Sequence, residues 1–463
     1  MCINNDPTTL LLDTYLTKDK DGNEILKYDY NFDMMGNITS ITDSPFGIQK
    51  SIQSFHYDYW GRLEESAGNY NNNDKTGSYN RLFKYDDDNR IIEKTYQSGK
   101  KYLFNYTSNS HEISSVDIIA DPEGLSKIQF AYDDFGNMIY KKTYSDLTEI
   151  ENTNFIYDPA NRLSRIDLPE GFKFDFKYDA GGQRIKKTYS DNVDTIGESV
   201  YVSGIYTIKD GNTSKYISDG SYVIATKIDN QSANIKYYHQ NHIGSTALLT
   251  DNNGFKWQGY LYTPYGETWM VEEDIPDDDI TRKFTGQEYD QESGLYYYNA
   301  RYYDPHIGMF LRPDPAMSGL NHYAYASCNP VMYNDPTGLI VEQATSPISV
   351  VREVLVQSNS GQGSVGPAGS KGGDNTIIDE FRSPDESDNI DQEAIKKVDL
   401  FKENTEERRE IWDDSKYLPH NKGFGELLNL KDAKKRYGLI TGEDIANVLS
   451  DRIIPSFLSS PWN

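Results

Sequence analysis

Two Asp-Pro pairs carry the residues best suited to chemistry. Asp314-Pro315 lies in RPDPAMSGL and Asp335-Pro336 in DPTGL. Carboxylates brought close together cannot both ionise cheaply, so one keeps its proton while the other can take a proton from water. On spacing alone a simpler role is the favoured one. Asp-Pro-x-Gly is an ordinary type I turn, with Asp at the first corner, Pro at the second and Gly at the fourth. Other candidates are weaker. His239 and His242 sit three apart in YYHQNHIGS, but the flanking residues read as strand and turn, and no Cys or acidic cluster completes a metal site. A structural role is expected for both. The acidic run EEDIPDDDI, Glu272 to Ile280, lacks the spaced ligands and Gly of a Ca²⁺ loop and reads as a solvated loop. Near the C-terminus, Glu406, Glu407, Glu410, Asp413 and Asp414 with Arg408 and Arg409 could make a metal-dependent or general-acid site. They read better as a solvated helix face. Nothing in the chain calls for a cofactor or a bound metal.

The elements that must position these residues are repetitive. The recurring phrase is aromatic-x-Tyr-Asp, two or three residues, Gly or Asn, Arg or Asn, then an aliphatic residue. It appears as FHYDYWGRL (Phe55 to Leu63), FKYDDDNRI (Phe83 to Ile91), FAYDDFGNM (Phe130 to Met138), FIYDPANRL (Phe155 to Leu163) and FKYDAGGQRI, which ends at Ile185. Degenerate copies are YNFDMMGNI, ending at Ile38, and FNYTSNSHEI, Phe104 to Ile113. From Tyr57 through Tyr85, Tyr106, Tyr132, Tyr157 and Tyr178 the spacings are 28, 21, 26, 25 and 21 residues. A period in the twenties marks a stacked unit that cannot bury its own apolar face alone. The F-x-Y alternation puts both aromatics on one face of a strand. Asp then bonds nearby backbone amides, Gly or Asn tolerates positive φ, and the aliphatic residue begins the return strand. Each repeat is therefore expected to be a β-hairpin and the array a curling sheet.

Composition bounds the rest. The 463 residues allow about two to four domains. Their 37 Tyr and 35 Gly favour short strands and tight turns. A formal net charge of -26 argues against a nucleic-acid surface, which needs clustered Lys and Arg. Cys2 and Cys328 are too few for a disulfide framework. No signal peptide is visible, and no run of about 18 apolar residues could span a membrane. Only Tyr417 and Tyr437 of the 37 Tyr follow Leu339, so packing that depends on Tyr stops near residue 340. Gln357 to Thr376 reads as a Gly/Ser-rich linker. The segment beyond it has helix-forming composition and reads as a small helical domain. From Ile340 onward there are 15 Lys/Arg, 22 Asp/Glu, one His (His420) and no Cys, which disfavours a Zn-cluster or multi-His nuclease.

The repeats resemble YD repeats, and Tyr237 to Leu339 is similar to the RHS repeat-associated core. The phrases that carry the likeness are YYHQNHIGSTALLTD, YTPYGE, FTGQEYDQESGLYYYNARYYDPHIGMFLRPDP and LNHYAYASCNPVMYNDPTGL. The resemblance implies a mainly β fold, a YD-repeat hairpin array curling into a partial or closed shell. It implies YD repeats over 1–200, the core with its autocleavage motif over 201–339, a linker over 340–376 and a variable C-terminal toxin domain over 377–463. About seven repeats precede the core, fewer than a closed shell of this family needs, so an open or truncated copy is one expectation. The family's intramolecular aspartyl protease uses one Asp from each Asp-Pro motif. By resemblance these are Asp314 and Asp335, the scissile bond is Leu339–Ile340, and Arg312 matches a basic residue adjoining the catalytic Asp.

Two functions remain open at this point. One is a secreted or surface-associated effector that releases its C-terminal payload by self-cleavage. Its partners would be a cognate immunity protein and a dedicated secretion machinery, with no nucleic acid bound by the shell and no membrane span. The other is a structural or adhesive cell-surface protein with no enzymatic activity.

Overall fold

The computed structural model describes residues 2–5, 11–19, 21–45, 51–72, 75–202, 204–218, 222–228, 235–273 and 280–344. The expected linker beyond residue 344, the expected helical C-terminal domain with its acidic cluster, and most of the acidic run before Ile280 lie outside the described residues. The chain divides into two compact units, of which one comprises Met1–Tyr178 and Arg184–Leu355. Of the other unit only Asp179–Gln183 is described, a turn in which Asp179 Oδ1 accepts the Gln183 amide at 2.8 Å.

The larger unit is built from strands, with no α-helix among its described residues. From Cys2–Asn5 to Thr268–Glu273, twenty-four strands form one antiparallel meander in which each strand pairs with its neighbours in sequence. The pairing runs unbroken past residue 200. Among the described residues the last strand does not pair with the first, so backbone hydrogen bonding leaves the sheet open.

The repeat turns explain the YD phrase atom by atom. Asp58 Oδ1 accepts the amides of Trp60 and Arg62, both at 2.9 Å, while its Oδ2 accepts Arg62 Nε at 2.7 Å. Asp33 with Asn37, Asp86 with Arg90, Asp133 with Asn137 and Asp158 with Arg162 repeat this pattern. One carboxylate thus closes the turn at the second and fourth residues after it and fixes the side chain at the fourth. The repeat tyrosine performs a different task. In four of the repeats its hydroxyl donates to the carbonyl of the aliphatic residue one repeat earlier. Tyr57 reaches Ile38 O at 2.7 Å, Tyr85 reaches Leu63 O at 2.8 Å, Tyr106 reaches Ile91 O at 2.9 Å and Tyr178 reaches Leu163 O at 2.6 Å. Phe at these positions would leave a buried carbonyl short of a donor, which is why the repeat uses Tyr.

A second, four-stranded ribbon packs against this sheet: Glu288–Asp290, Leu295–Tyr298, Arg301–Asp304 and Met309–Phe310. Its tyrosines form the densest part of the core, with Tyr296, Tyr298 and Tyr303 wholly buried. Their hydroxyls are all satisfied, Tyr296 by Gly266 O, Tyr298 by Thr285 Oγ1 and Tyr303 by Tyr265 O. Buried ion pairs from widely separated strands pin the ribbon's register. Lys141 holds Asp304 at 2.6 Å, and Arg184 holds Glu288 at 2.7 Å and Asp290 at 3.2 Å. Removing one partner of such a pair would leave an uncompensated buried charge.

Candidate active site at the second Asp-Pro motif

Beyond the ribbon, residues 311–332 run along the repeat turns and bond to them one after another. Arg312 donates through Nη1 to Asn161 O. Tyr323 donates to Gly136 O at 2.7 Å, Asn321 Nδ2 to Asn89 O at 3.0 Å and Asn329 Nδ2 to Gly61 O at 2.9 Å. Gly136 has φ +78° and no room for a side chain, since a Cβ there would lie 2.6 Å from Tyr323 Oη and 3.3 Å from Pro313. The same turns that build the sheet therefore seat the segment bearing Asp314.

Asp314 and Asp335 are both buried, at 4% and 0% exposure, and one arginine faces both. Arg301 Nη2 lies 2.8 Å from Asp335 Oδ2 and 4.0 Å from Asp314 Oδ2. The rest of its guanidinium holds backbone, with Nε donating to Gly338 O at 2.5 Å and Nη1 to His322 O at 3.0 Å. Its plane covers the Phe310 ring at 3.6 Å. Two carboxylates share a single close cation, and that balance favours a proton on one of them. Burial raises the Asp335 carboxyl above its ordinary range, against the pull of Arg301 and two backbone amides.

Those two amides are the nitrogen of the Leu339–Ile340 bond and the one before it. Asp335 Oδ1 accepts Leu339 N–H at 3.0 Å and Ile340 N–H at 3.1 Å. On the other side, Ser318 Oγ lies 3.3 Å from Leu339 O and also bonds Asp314 Oδ2. Ile340 is 60% exposed, so water reaches the bond. Gly338 makes the approach possible. Its φ is +74°, and a Cβ would collide with Tyr298 O.

The fold therefore brings together Asp314, Asp335, Leu339 and Ile340. Arg312 is placed elsewhere. Its guanidinium is committed to the Asp158–Arg162 turn, although it remains near enough to Asp314 to interact with its charge. Arg301, which the sequence reading did not single out, occupies the position expected of the basic partner. Its one local signal was a charged residue inside the tyrosine-rich phrase YYYNARYYDP. His239 and His242 serve structure: His239 Nε2 bonds Thr250 Oγ1 at 2.8 Å, and His242 Nε2 bonds Val331 O at 2.9 Å.

Comparison with known proteins fits this architecture. The family model described as Teneurin YD-shell matches residues 13–334. The chain belongs to this YD-shell family. Among curated relatives, the tRNA3(Ser)-specific nuclease WapA of Bacillus spizizenii is 29% identical over 54% of this chain and 11% of its own length. Double-stranded DNA deaminase toxin A of Burkholderia cenocepacia is 25% identical over 69% of this chain and 23% of its own length. Salivary gland surface protein 1 of Aedes aegypti is 31% identical over 53% of this chain and 8% of its own length. The YD-shell chain thus spans a quarter or less of each relative. A solved structure, TcdB2-TccC3-Cdc42, aligns with TM-score 0.59 and 20% identity over 73% of this chain and 18% of that one, a likeness of fold. Among the described residues of the YD-shell chain, no helix is long and apolar enough to cross a membrane.

Proposed function

We propose that this YD-shell segment cleaves its own chain between Leu339 and Ile340 with an Asp314–Asp335 carboxyl pair, releasing the C-terminal segment as a payload. One observation carries the reading: Asp335 Oδ1 bonds the nitrogen of that bond, Ile340 N–H, and the Leu339 amide before it, while Arg301 holds its other oxygen. A carboxylate so placed can take a proton from attacking water and return it to the departing Ile340 nitrogen. Asp314, on the carbonyl side through Ser318, is the partner that supplies a proton to Leu339 O. Arg301 positions Asp335 and pulls against the burial that raises its carboxyl. Because substrate and catalyst are one chain, folding already meets the positioning entropy.

The resemblance to proteins named as toxins supports a secreted or delivered role for the released segment, with an immunity protein and an export machinery as partners. A structural or adhesive surface role is the second reading. The similarity to a protein named as a salivary gland surface protein favours it. Intact-mass measurement of the purified chain decides between them. A product beginning at Ile340 is expected on the first reading, and a chain that stays whole across the acid and neutral range fits only the second.

A further inference from the structure

Asp314 sits in a turn that resembles those of the YD repeats. Its Oδ1 accepts the Ala316 amide at 2.8 Å, two residues on, and its Oδ2 accepts the Ser318 amide at 3.2 Å, four residues on. The Ser318 hydroxyl bonds that same Oδ2. In the repeats the residue four after the Asp is Asn37, Arg62, Arg90, Asn137 or Arg162, and each donates a side-chain N–H to its carboxylate. Arg can only donate. A repeat turn therefore offers its Asp side chain only N–H donors. A hydroxyl differs, because it carries one donor and two acceptor positions and can turn between them. Arg62, Arg90 and Asn137 also reach into a neighbouring turn, whereas Ser318 Oγ lies 3.3 Å from Leu339 O.

The geometry points to Ser318 as a proton relay between Asp314 and the carbonyl oxygen of the Leu339–Ile340 bond. This rests on the cleavage reading above. With Asp314 protonated, its O–H donates to Ser318 Oγ and the Ser318 O–H donates to Leu339 O. Water adds to the Leu339 carbonyl carbon and gives a proton to Asp335. The carbonyl electron pair takes the Ser318 proton, and Ser318 takes the Asp314 proton. The tetrahedral carbon then expels the Ile340 nitrogen, which receives the proton held by Asp335. One hydroxyl proton returns through Ser318 to Asp314, leaving a Leu339 carboxylic acid and an Ile340 amine. Water is consumed and both aspartates end as they began. The serine thus converts a structural turn into an acid by allowing its Asp to hold a proton and pass it on.

The test uses the full chain made in a cell-free system, with cleavage followed over time and across pH. Ser318→Thr, which keeps the hydroxyl, should cut within about threefold of the parent rate. Ser318→Ala should slow the cut by about 10²-fold or more, the usual loss when a general acid or carbonyl donor is removed. Ser318→Asn is the discriminating variant. It keeps the repeat-type donor to Asp314, as at Asn37 and Asn137, so it should melt with the parent yet cut at least as slowly as Ser318→Ala. Cutting at the parent rate by a folded Ser318→Asn or Ser318→Ala chain overturns the relay while leaving the aspartyl reading intact. A parent chain that is never cut, or that is cut equally well as Asp335→Asn, overturns the aspartyl reading and the relay together.

Discussion

Asp335 and Ile340 are joined by a 3.1 Å hydrogen bond from the Ile340 amide to Asp335 Oδ1. The nitrogen of the proposed scissile bond is thereby tied to the carboxylate best placed to protonate it. Asp335→Asn should abolish the cut, and so should Asp314→Asn; Asn also serves turns, but Asp335→Asn leaves Arg301 buried without its close anion and should lower stability as well. The parent should yield a C-terminal product of about 14 kDa, taking roughly 110 Da per residue. Mass spectrometry of the three chains reads the result. Unchanged cutting in both variants would remove the aspartyl mechanism.

The two arginines near the site should behave differently. Arg301→Gln leaves Asp335 buried without its cation and should cost about 3–5 kcal/mol of stability as well as the cut. Arg301→Lys keeps the charge but loses the fork that spans Asp335, Gly338 O and His322 O, so cutting should still fall by about tenfold or more. Arg312→Lys should leave the cut within about threefold, because its guanidinium serves the Asn161 carbonyl. Urea melts and cleavage time courses on the three variants separate these effects. Equal losses at Arg312 and Arg301 would restore Arg312 as the working cation.

Truncating the repeat aromatics should expose the two layers of their contribution. Tyr178→Phe removes the 2.6 Å bond to Leu163 O and the 3.4 Å contact with the Tyr302 hydroxyl, and should cost about 1–2 kcal/mol. Tyr132→Ala also removes the ring packed against Tyr323 at 5.9 Å and should cost about 3–5 kcal/mol. Chemical denaturation of a cleavage-blocked parent gives both values. Losses under about 0.5 kcal/mol at both would mean the repeat tyrosines do not couple neighbouring hairpins.

His239 should make the fold sensitive to acid. Burial lowers its imidazole from 6.5 to about 4, so the unfolded chain binds the proton first as pH falls. Stability contributed by neutral His239 is complete above about pH 6.5, declines down to about pH 4 and is level below that. The decline is about 3 kcal/mol for a shift of this size. His239→Asn should flatten that part of the stability profile, as read by denaturation at successive pH values. A profile parallel to the parent's would assign the acid sensitivity elsewhere.

Gly338 should tolerate no side chain. Gly338→Ala requires a left-handed backbone and a Cβ in the space of Tyr298 O, so the DPTGL segment must shift away from Asp335. The expected outcome is a folded chain that is cut at least about tenfold more slowly, since small misplacement of reacting atoms is costly. Parent-rate cutting would show that the loop adapts without loss.

What the sequence determined by itself is the local part of this architecture. The Asp-x-x-Gly/Asn turns close through bonds from one carboxylate to amides two and four residues on, so their whole logic fits inside a nine-residue phrase. The meander follows from it, because each hairpin pairs with the next in line. The phrases and the family resemblance singled out Asp314, Asp335 and the Leu339–Ile340 bond, which the fold places close together. The tertiary structure alone decided which cation serves them. Arg301 lies 13 residues before Asp314 and 34 before Asp335, and it meets them because the ribbon's pairing presents that strand to the returning DPTGL segment. Arg312, two residues from Asp314, read as the natural partner, yet its guanidinium is drawn to a repeat turn 151 residues away in sequence. Nearness along the chain fixes turns, whose bonds span a few residues. The destination of a long charged side chain is set by which buried acceptors the folded sheet brings within its reach.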